Sequence, residues 1–220
     1  MAAAVSTRTG GPRLRADAVR NRERIMQAAG EAFVQFGPDV PLDEIARDAG
    51  VGNATLYRHF PDRESLVKQV VLTLMDQISE RAEAAHNEVP DAFDALCRFV
   101  FEAAEQRVGA LCPVLTKHVD QSDPEILAAR NRLETVATNL MNWARRSGQL
   151  REDVGFGDVI VALTQLARPL PGTGCAEIRR FTHRHLQIFL DGLRAPSRSQ
   201  LTGSAATFND LRSTVPAHRV

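Results

Sequence analysis

Hydrogen-bonding side chains crowd one short stretch of the chain, between Gly52 and Phe60. Its two apolar anchors, Leu56 and Phe60, are four residues apart and therefore share one face of a helix. Donors, a phenol and an imidazole on the other faces suit contact with phosphates and base edges better than a protein core. The side chains concerned are Asn53, Thr55, Tyr57, Arg58 and His59.

Another short helix is predicted immediately before this stretch. Leu42 and Ile45 contribute to an apolar stripe at helical spacing, and Gly50 supplies the positive-φ residue that ends a helix. Asn53 is a suitable N-cap for a following helix that we expect to begin at Ala54. Two short helices joined by a glycine-containing turn form a helix-turn-helix, whose second helix enters the major groove of DNA.

Short motifs extend across these helices and the one before them. They are Asp43-Glu44-Ile45-Ala46, Ala49-Gly50-Val51, Thr55-Leu56-Tyr57 and His59-Phe60, preceded by Arg24-Ile25, Ala28-Ala29, Ala32-Phe33 and Phe36-Gly37. Together they resemble the DNA-binding signature of the TetR family of transcriptional regulators. The resemblance implies an all-α fold, with an N-terminal three-helix helix-turn-helix domain and a larger C-terminal helical domain for ligand binding and dimerisation.

The resemblance also implies roles for individual residues. Pro41 stands where the family usually has a phosphate-donating Thr or Ser, and it donates nothing. Arg58 is expected to contact a phosphate or a base or to remain solvated, and the Tyr57 ring has packing on the first helix as its alternative. The residues that the resemblance assigns to DNA are Pro41 and Leu42 beside the missing donor, Asn53, Ala54 and Thr55 at base edges, and Tyr57, His59 and Arg63 at phosphates. Arg58 joins them with the alternatives just given, and the basic charge around the start of the first helix adds Arg20 and Arg22.

Charge is distributed unevenly along the chain. The whole sequence is neutral, with 27 basic and 27 acidic residues, whereas residues 1–24 carry a net charge of +4. We expect residues 1–16 to form a flexible basic arm that reaches phosphates or the minor groove, with a merely solubilising tail as the alternative for residues 1–12. The acidic residues of the helix-turn-helix are expected on the face away from DNA; they are Asp39, Asp43, Glu44 and Asp48.

Helical periodicity dominates the rest of the sequence, and no hairpin signal is present. We predict a helix-turn-helix domain over residues 17–63, a regulatory and dimerisation domain over 64–194 and a disordered tail over 195–220. About nine helices are expected, over residues 18–36, 42–49, 54–60, 62–86, 91–108, 111–119, 124–147, 157–170 and 175–193. Gly30, inside the first of them, suggests a close helix contact.

The C-terminal domain offers two candidate surfaces. Its middle helices combine apolar residues with a few polar groups, a pattern that suits a ligand pocket or an ordinary core. Its last two helices are apolar on more than one side, which indicates either a four-helix interface with a two-fold mate or cover by the chain's own middle helices. The candidate pocket residues are Phe93, Leu96, Phe99, Val100, His118, Gln121, Asn139, Met141 and Trp143, and the candidate interface residues are Val159, Ile160, Leu163, Leu166, Phe181, His185 and Phe189.

Other classes of protein are disfavoured. No apolar run approaches the roughly 18 residues of a membrane helix, and the first residues lack the apolar centre of a secretory signal. Three widely spaced cysteines suit neither a disulfide framework nor a metal site, and no phosphate-binding loop, nucleophile elbow or zinc motif is found. We therefore expect a cytoplasmic protein that is not an enzyme and holds no metal or cofactor.

The leading hypothesis is a homodimeric repressor that a small-molecule effector releases from a palindromic operator in double-stranded DNA. One alternative is a regulator that uses no small ligand and responds to its own abundance or to a protein partner. Another is a helical small-molecule-binding protein or enzyme whose helix-turn-helix is vestigial.

Overall fold

Eight α-helices make up most of the part of the chain that the structure describes. The computed structural model describes residues 11–106, 118–167, 175–207 and 210, without the side chains of residues 11–15 and 175–180. The helices are α1 Gly11–Phe36, α2 Leu42–Asp48, α3 Asn53–His59, α4 Arg63–Glu88, α5 Ala92–Glu105, α6 Pro124–Arg146, α7 Phe156–Leu166 and α8 Cys175–Gly192. The all-α prediction is confirmed, and the helix predicted over 111–119 lies almost entirely outside the described residues.

Two compact units divide the chain, Met1–Val70 and Val71–Val220. The boundary lies within α4, whereas the sequence led us to place it at residue 63. Because α4 is a single uninterrupted helix, its first part belongs to the first unit and the remainder to the second.

The first unit has an apolar core formed largely by α1, α2 and α3. Ile25, Phe33, Ile45 and Leu56 are each at most 1% exposed. Helix α1 begins at Gly11, so that residues 11–16 are helical rather than a flexible arm; a proline in the first turn, here Pro12, does not prevent helix formation.

Gly30 does not mark a close helix contact. Apart from the helix's own backbone, no atom of the described residues lies within 4 Å of a Cβ atom built on this glycine. The contact expected from the glycine is therefore wrong.

Helix α5 is central to the second unit, where it contacts α6, α7 and α8. Its residues Phe93, Leu96, Phe99 and Val100 are all at most 2% exposed. Asp91 begins the helix as predicted, because its carboxylate accepts hydrogen bonds from the Phe93 and Asp94 N–H groups at 3.0 and 2.9 Å. No helix in the described part of the chain is long and apolar enough to cross a membrane.

The segment over residues 195–207, which we call the C-terminal strap, packs on the second unit. Arg151, only 7% exposed, donates to the Ser199 carbonyl at 2.8 Å and also pairs with Asp153. Asp153 in turn accepts from the Leu201 N–H at 3.2 Å. The hydrogen bond from Arg151, with a smaller contribution from that N–H, lowers the pKa of Asp153 to about 2. The disordered tail predicted from residue 195 is therefore wrong for the strap, whereas residues 211–220 lie outside the described part.

The end of the strap lies directly against the start of α7. Asp158 accepts hydrogen bonds from the Gly155 N–H at 2.8 Å and from the Ala206 N–H at 3.2 Å. A Cβ atom at Gly155 or Gly157 would lie 2.5 or 2.3 Å from the Ala206 carbonyl oxygen. Both glycines are required here because the strap backbone occupies the space of a side chain.

Candidate nucleic-acid interface

Helix α3 is held to the first unit by two buried residues and exposes most of its polar ones. Leu56 and Phe60 are 0% and 1% exposed, as their spacing predicted. Thr55 and His59 are half-buried. The exposed residues of the helix are Asn53, Ala54, Tyr57 and Arg58. Only one face of this short helix therefore packs on the core, and its polar faces are available to a partner.

A four-residue turn, residues 49–52, joins α2 to α3. Gly50 has a φ of +64°, the conformation that its position at the end of α2 predicted. The Gly52 carbonyl accepts from the Thr55 N–H at 2.8 Å, and Gly52 is the N-cap residue. Helix α3 consequently begins at Asn53, and the prediction that Asn53 is the N-cap is wrong.

The Asn53 side chain is engaged with α2 instead. Its Nδ2 donates to Oδ1 of Asp43 at 2.9 Å, and both residues are exposed. Asp43 was expected on the face away from DNA, but this contact places its carboxylate beside the first residue of α3. Nothing in the sequence pattern separates Asp43 from Asp48, since both are acidic residues of the same short helix.

Arg63 supports the protein backbone. Its Nη1 donates to the carbonyls of Pro38 and Val40, both at 2.6 Å. The guanidinium therefore holds the start of α4 to the loop between α1 and α2. The sequence predicted a phosphate contact for Arg63, whereas the structure shows it bound to these two carbonyls.

The two arginines assigned at the start of the first helix also have partners within the unit. Arg22 donates to Gln69 Oε1 at 2.6 Å, and its guanidinium lies 5.1 Å from the centre of the Phe60 ring. Arg20 pairs with Asp17, and both side chains of that pair are more than half exposed. Arg22 thus packs within the first unit, at the edge of its core, whereas Arg20 remains accessible to solvent.

Of the two residues assigned at the start of α2, Leu42 is buried and Pro41 is exposed. Leu42 is only 9% exposed and anchors α2 in the core, so its side chain is not at the surface that DNA would meet. Pro41 is exposed and is the N-cap residue of α2, with no side-chain hydrogen bond.

His59 has a lowered pKa. Partial burial is the main cause, followed by the positive charges of Arg58 and Arg22. Its Nε2 atom is buried and has no hydrogen-bond partner among the described residues. The ring is therefore neutral near pH 7 in the isolated protein.

The candidate pocket residues do not all face one interior. The four on α5 and Met141 are buried in the second unit, and His118, Gln121 and Trp143 are half-buried. Asn139 is exposed, which removes it from the wall of an interior pocket. Trp143 packs edge-on against the His86 ring, with 4.8 Å between ring centres.

The candidate interface residues separate into inner and outer groups. Val159, Ile160 and Leu163 are at most 9% exposed in the single chain, and Leu166 and Phe189 are half-buried. Among the described side chains of α7 and α8, the large apolar ones that are exposed are Val161 at 40%, Phe181 at 43% and Ile188 at 58%, and His185 is also exposed. Ile188 belongs to the apolar residues of the last helix on which the sequence hypothesis of an interface rests, whereas Val161 was missed because it lies beside the main apolar stripe of α7.

Comparison with known proteins covers both units. The family model for bacterial regulatory proteins of the tetR family matches residues 25–70, and that for the C-terminal domain of SbtR-like transcriptional regulators matches residues 90–195. The crystal structure of the TetR transcriptional regulator SCO0520 from Streptomyces coelicolor is 31% identical, with a TM-score of 0.58 over 80% of this chain and 99% of that one.

Two curated relatives are similar over shorter regions. The nucleoid occlusion factor SlmA of Photobacterium profundum is 29% identical over 160 residues, 69% of this chain and 81% of the relative. The HTH-type transcriptional regulator SAB2452 of Staphylococcus aureus (strain bovine RF122 / ET3-1) is 31% identical over 94 residues, 39% of this chain. The alignment spans about half the length of that relative, 51%.

Proposed function

The chain belongs to the TetR family of transcriptional regulators, and we propose that it is a homodimeric repressor which a small-molecule effector releases from a palindromic operator. The observation that carries this proposal is the arrangement of α3, in which Leu56 and Phe60 hold the helix while Asn53, Ala54 and Tyr57 point outward. In the major groove, the first residues of α3 would meet base edges and the later ones phosphates.

The phosphate contacts would come from a smaller set of residues than the sequence suggested. Tyr57 is 47% exposed, and Arg58 is exposed without a hydrogen bond or ion pair to any described residue. His59 and Arg20 are the other two residues that we propose to contact phosphates. Arg63 and Arg22 would support the interface from behind, because their guanidinium groups are already bound to the protein.

The exposed apolar residues of α7 and α8 support the homodimer. Phe181, His185 and Ile188 are spaced by four and three residues on α8 and therefore share one face, and Val161 adds to the apolar surface on α7. Exposed apolar residues grouped in this way are typical of an interface. A two-fold dimer would place its two α3 helices in successive major grooves, about 34–36 Å apart.

The effector would act on the second unit. Phe93, Leu96, Phe99 and Met141 are buried in its apolar interior, and His118, six residues before α6, is half-buried. Such an effector can shift the protein away from its DNA-binding conformation only by as much as its affinities for the two conformations differ. A thermal-shift screen of metabolites, followed by operator release, tests this part; the emission of Trp143, the single tryptophan, reports binding independently.

The experiment for DNA binding is a footprint on the DNA that flanks the gene, followed by titration of the protected duplex. Thr55→Ala is expected to weaken binding to the operator by roughly 1–3 kcal/mol while sparing binding to unrelated duplexes. Tyr57→Phe is expected to weaken binding to every duplex by a similar factor, because its hydroxyl is assigned to a phosphate.

Each substitution serves as the control for the other. Equal loss on all sequences with Thr55→Ala would refute its role at a base, and selective loss with Tyr57→Phe would refute its role at a phosphate. If the protein binds no duplex in a salt-dependent manner, the helix-turn-helix is vestigial and the repressor proposal is wrong.

A further inference from the structure

The contact between Asp43 and Asn53 joins the two helices of the helix-turn-helix at the surface that would face DNA. Asp43 is the second residue of α2 and Asn53 the first of α3. The 2.9 Å hydrogen bond between them is the only side-chain hydrogen bond that the described residues provide for either one. Two exposed polar groups thus meet at the position where base edges would be read.

The direction of this hydrogen bond follows from the chemistry of the two groups. An ionised carboxylate only accepts, so it stabilises the amide with Nδ2 toward Asp43 and repels the amide oxygen. The Asn53 amide has two N–H groups and one carbonyl oxygen, and Asp43 uses one of the N–H groups. What remains for a base is one donor and one acceptor.

The N–H donor and the carbonyl acceptor that remain on Asn53 match adenine and not guanine. In the major groove adenine presents the N7 acceptor and the N6 amino donor, whereas guanine presents two acceptors, N7 and O6. Asn53 bound to Asp43 can satisfy adenine, but it lacks the second free N–H that guanine would need.

We propose that Asp43 is a specificity-determining residue of the operator contact, acting through Asn53 to select adenine and reject guanine at one position of each half-site. The inference rests on the proposed function, since it assumes that α3 enters the major groove. Asp43 need not touch the DNA, because its effect is to hold the orientation of the Asn53 amide and to occupy one of its donors.

The test uses the full-length protein and duplexes in which each operator position is changed in turn to all four bases. The wild type is expected to prefer adenine over guanine by about tenfold at one position per half-site. Asp43→Ala should bring this ratio to within about twofold, because Asn53 regains its second N–H. Asn53→Ala should remove the same preference, and the double variant should behave like Asn53→Ala, since Asp43 acts only through it.

Asp48→Ala is the matched control for charge. Asp48 is an exposed acidic residue of α2 that pairs with Arg47 and has no hydrogen bond to Asn53. Its removal should change affinity for all duplexes alike and leave the adenine-to-guanine ratio as in the wild type. A merely structural role for Asp43 would likewise alter overall affinity or melting temperature but not the preference at a single base pair.

The outcomes separate the two levels of inference. Sequence-specific binding with an unchanged ratio in Asp43→Ala, or a preference that survives in Asn53→Ala, would overturn the assignment of Asp43 and leave the proposed function standing. Absence of any sequence-specific binding by the wild type would overturn both.

Discussion

Gly157 is the residue at which helix propensity and tertiary structure predict opposite effects of an alanine substitution. It is the second residue of α7, and alanine in a helix interior is favoured over glycine by up to about 1 kcal/mol. The added Cβ atom, however, would lie 2.3 Å from the Ala206 carbonyl oxygen and 2.8 Å from the Thr207 carbonyl carbon. Both neighbours are backbone atoms, so the strap itself must move by roughly 1 Å to restore ordinary contact.

The size of the effect is bounded from both sides. Overpacking of this kind costs typically about 1–3 kcal/mol. The cost cannot exceed that of releasing the end of the strap, which loses the hydrogen bond from the Ala206 N–H to the Asp158 carboxylate, about 1.5–3 kcal/mol for a charged acceptor. After the gain in helix propensity, we expect Gly157→Ala to lower the free energy of unfolding by about 1–2 kcal/mol.

Urea unfolding measures this difference, and two controls isolate its cause. At Gly192, the last residue of α8 in the same unit, no atom of the described part of the chain lies within 4 Å of the Cβ position, so Gly192→Ala should be neutral or slightly stabilising. A chain that ends at Thr202 keeps the contacts of Ser199 and Leu201 but lacks the residues that crowd Gly157. In that shortened chain Gly157→Ala should also become neutral or stabilising.

The change of sign between the two chain lengths is the decisive quantity, because it isolates the coupling between Gly157 and the strap. If Gly157→Ala raises the unfolding midpoint of the full-length chain, or lowers both chains equally, the strap does not occupy the position described and the reasoning is refuted.

Two further predictions concern the first unit. Arg63→Ala should lower its free energy of unfolding by about 1–3 kcal/mol, because the Pro38 and Val40 carbonyls lose a charged donor; an unchanged urea midpoint together with weaker DNA binding would instead return Arg63 to a phosphate role. The pKa of His59 in the folded state is below its ordinary 6.5, so the unfolded chain binds this proton more tightly. The free energy of unfolding should therefore decline as the pH falls from 6.5 toward the folded-state pKa. His59→Gln should remove this part of the pH dependence, measured as urea midpoints between pH 5 and 8, and identical profiles for the two proteins would contradict it.

The helix-turn-helix could be predicted from the sequence because the features that define it are local. Leu56 and Phe60 are four residues apart, and Gly50 ends α2 with a positive φ, so spacing and one conformational preference sufficed. The partners of long polar side chains depend on the tertiary fold. An arginine such as Arg63 can neutralise a phosphate or satisfy two carbonyls, and only the position of the loop between α1 and α2 decides which.

The ordered strap was not predicted because the residues that hold it in place, such as Arg151 and Asp158, are far from it in the sequence. Residues after Arg194 are poor in large apolar groups, which indicated disorder, yet they are held mainly through backbone groups that carry no sequence pattern. A cue was present in Gly155 and Gly157, since two glycines at the start of a helix suggest close approach of another backbone. The glycines cannot reveal which segment approaches, because any backbone would impose the same requirement.

The last two helices show a related limit, since periodicity locates apolar stripes without saying what covers them. The stripe of Val159 and Leu163 is the most regular of α7, and the chain's own helices cover it. A protomer must bury its strongest stripe to fold, so the residues left for a second copy are those beside that stripe, here Val161 and Ile188. A proposed interface should therefore be sought among apolar residues that the folded chain leaves exposed. Ile188→Asp is expected to weaken the proposed dimer without destabilising the protomer, whereas Leu163→Asp should destabilise the protomer itself because Leu163 is buried.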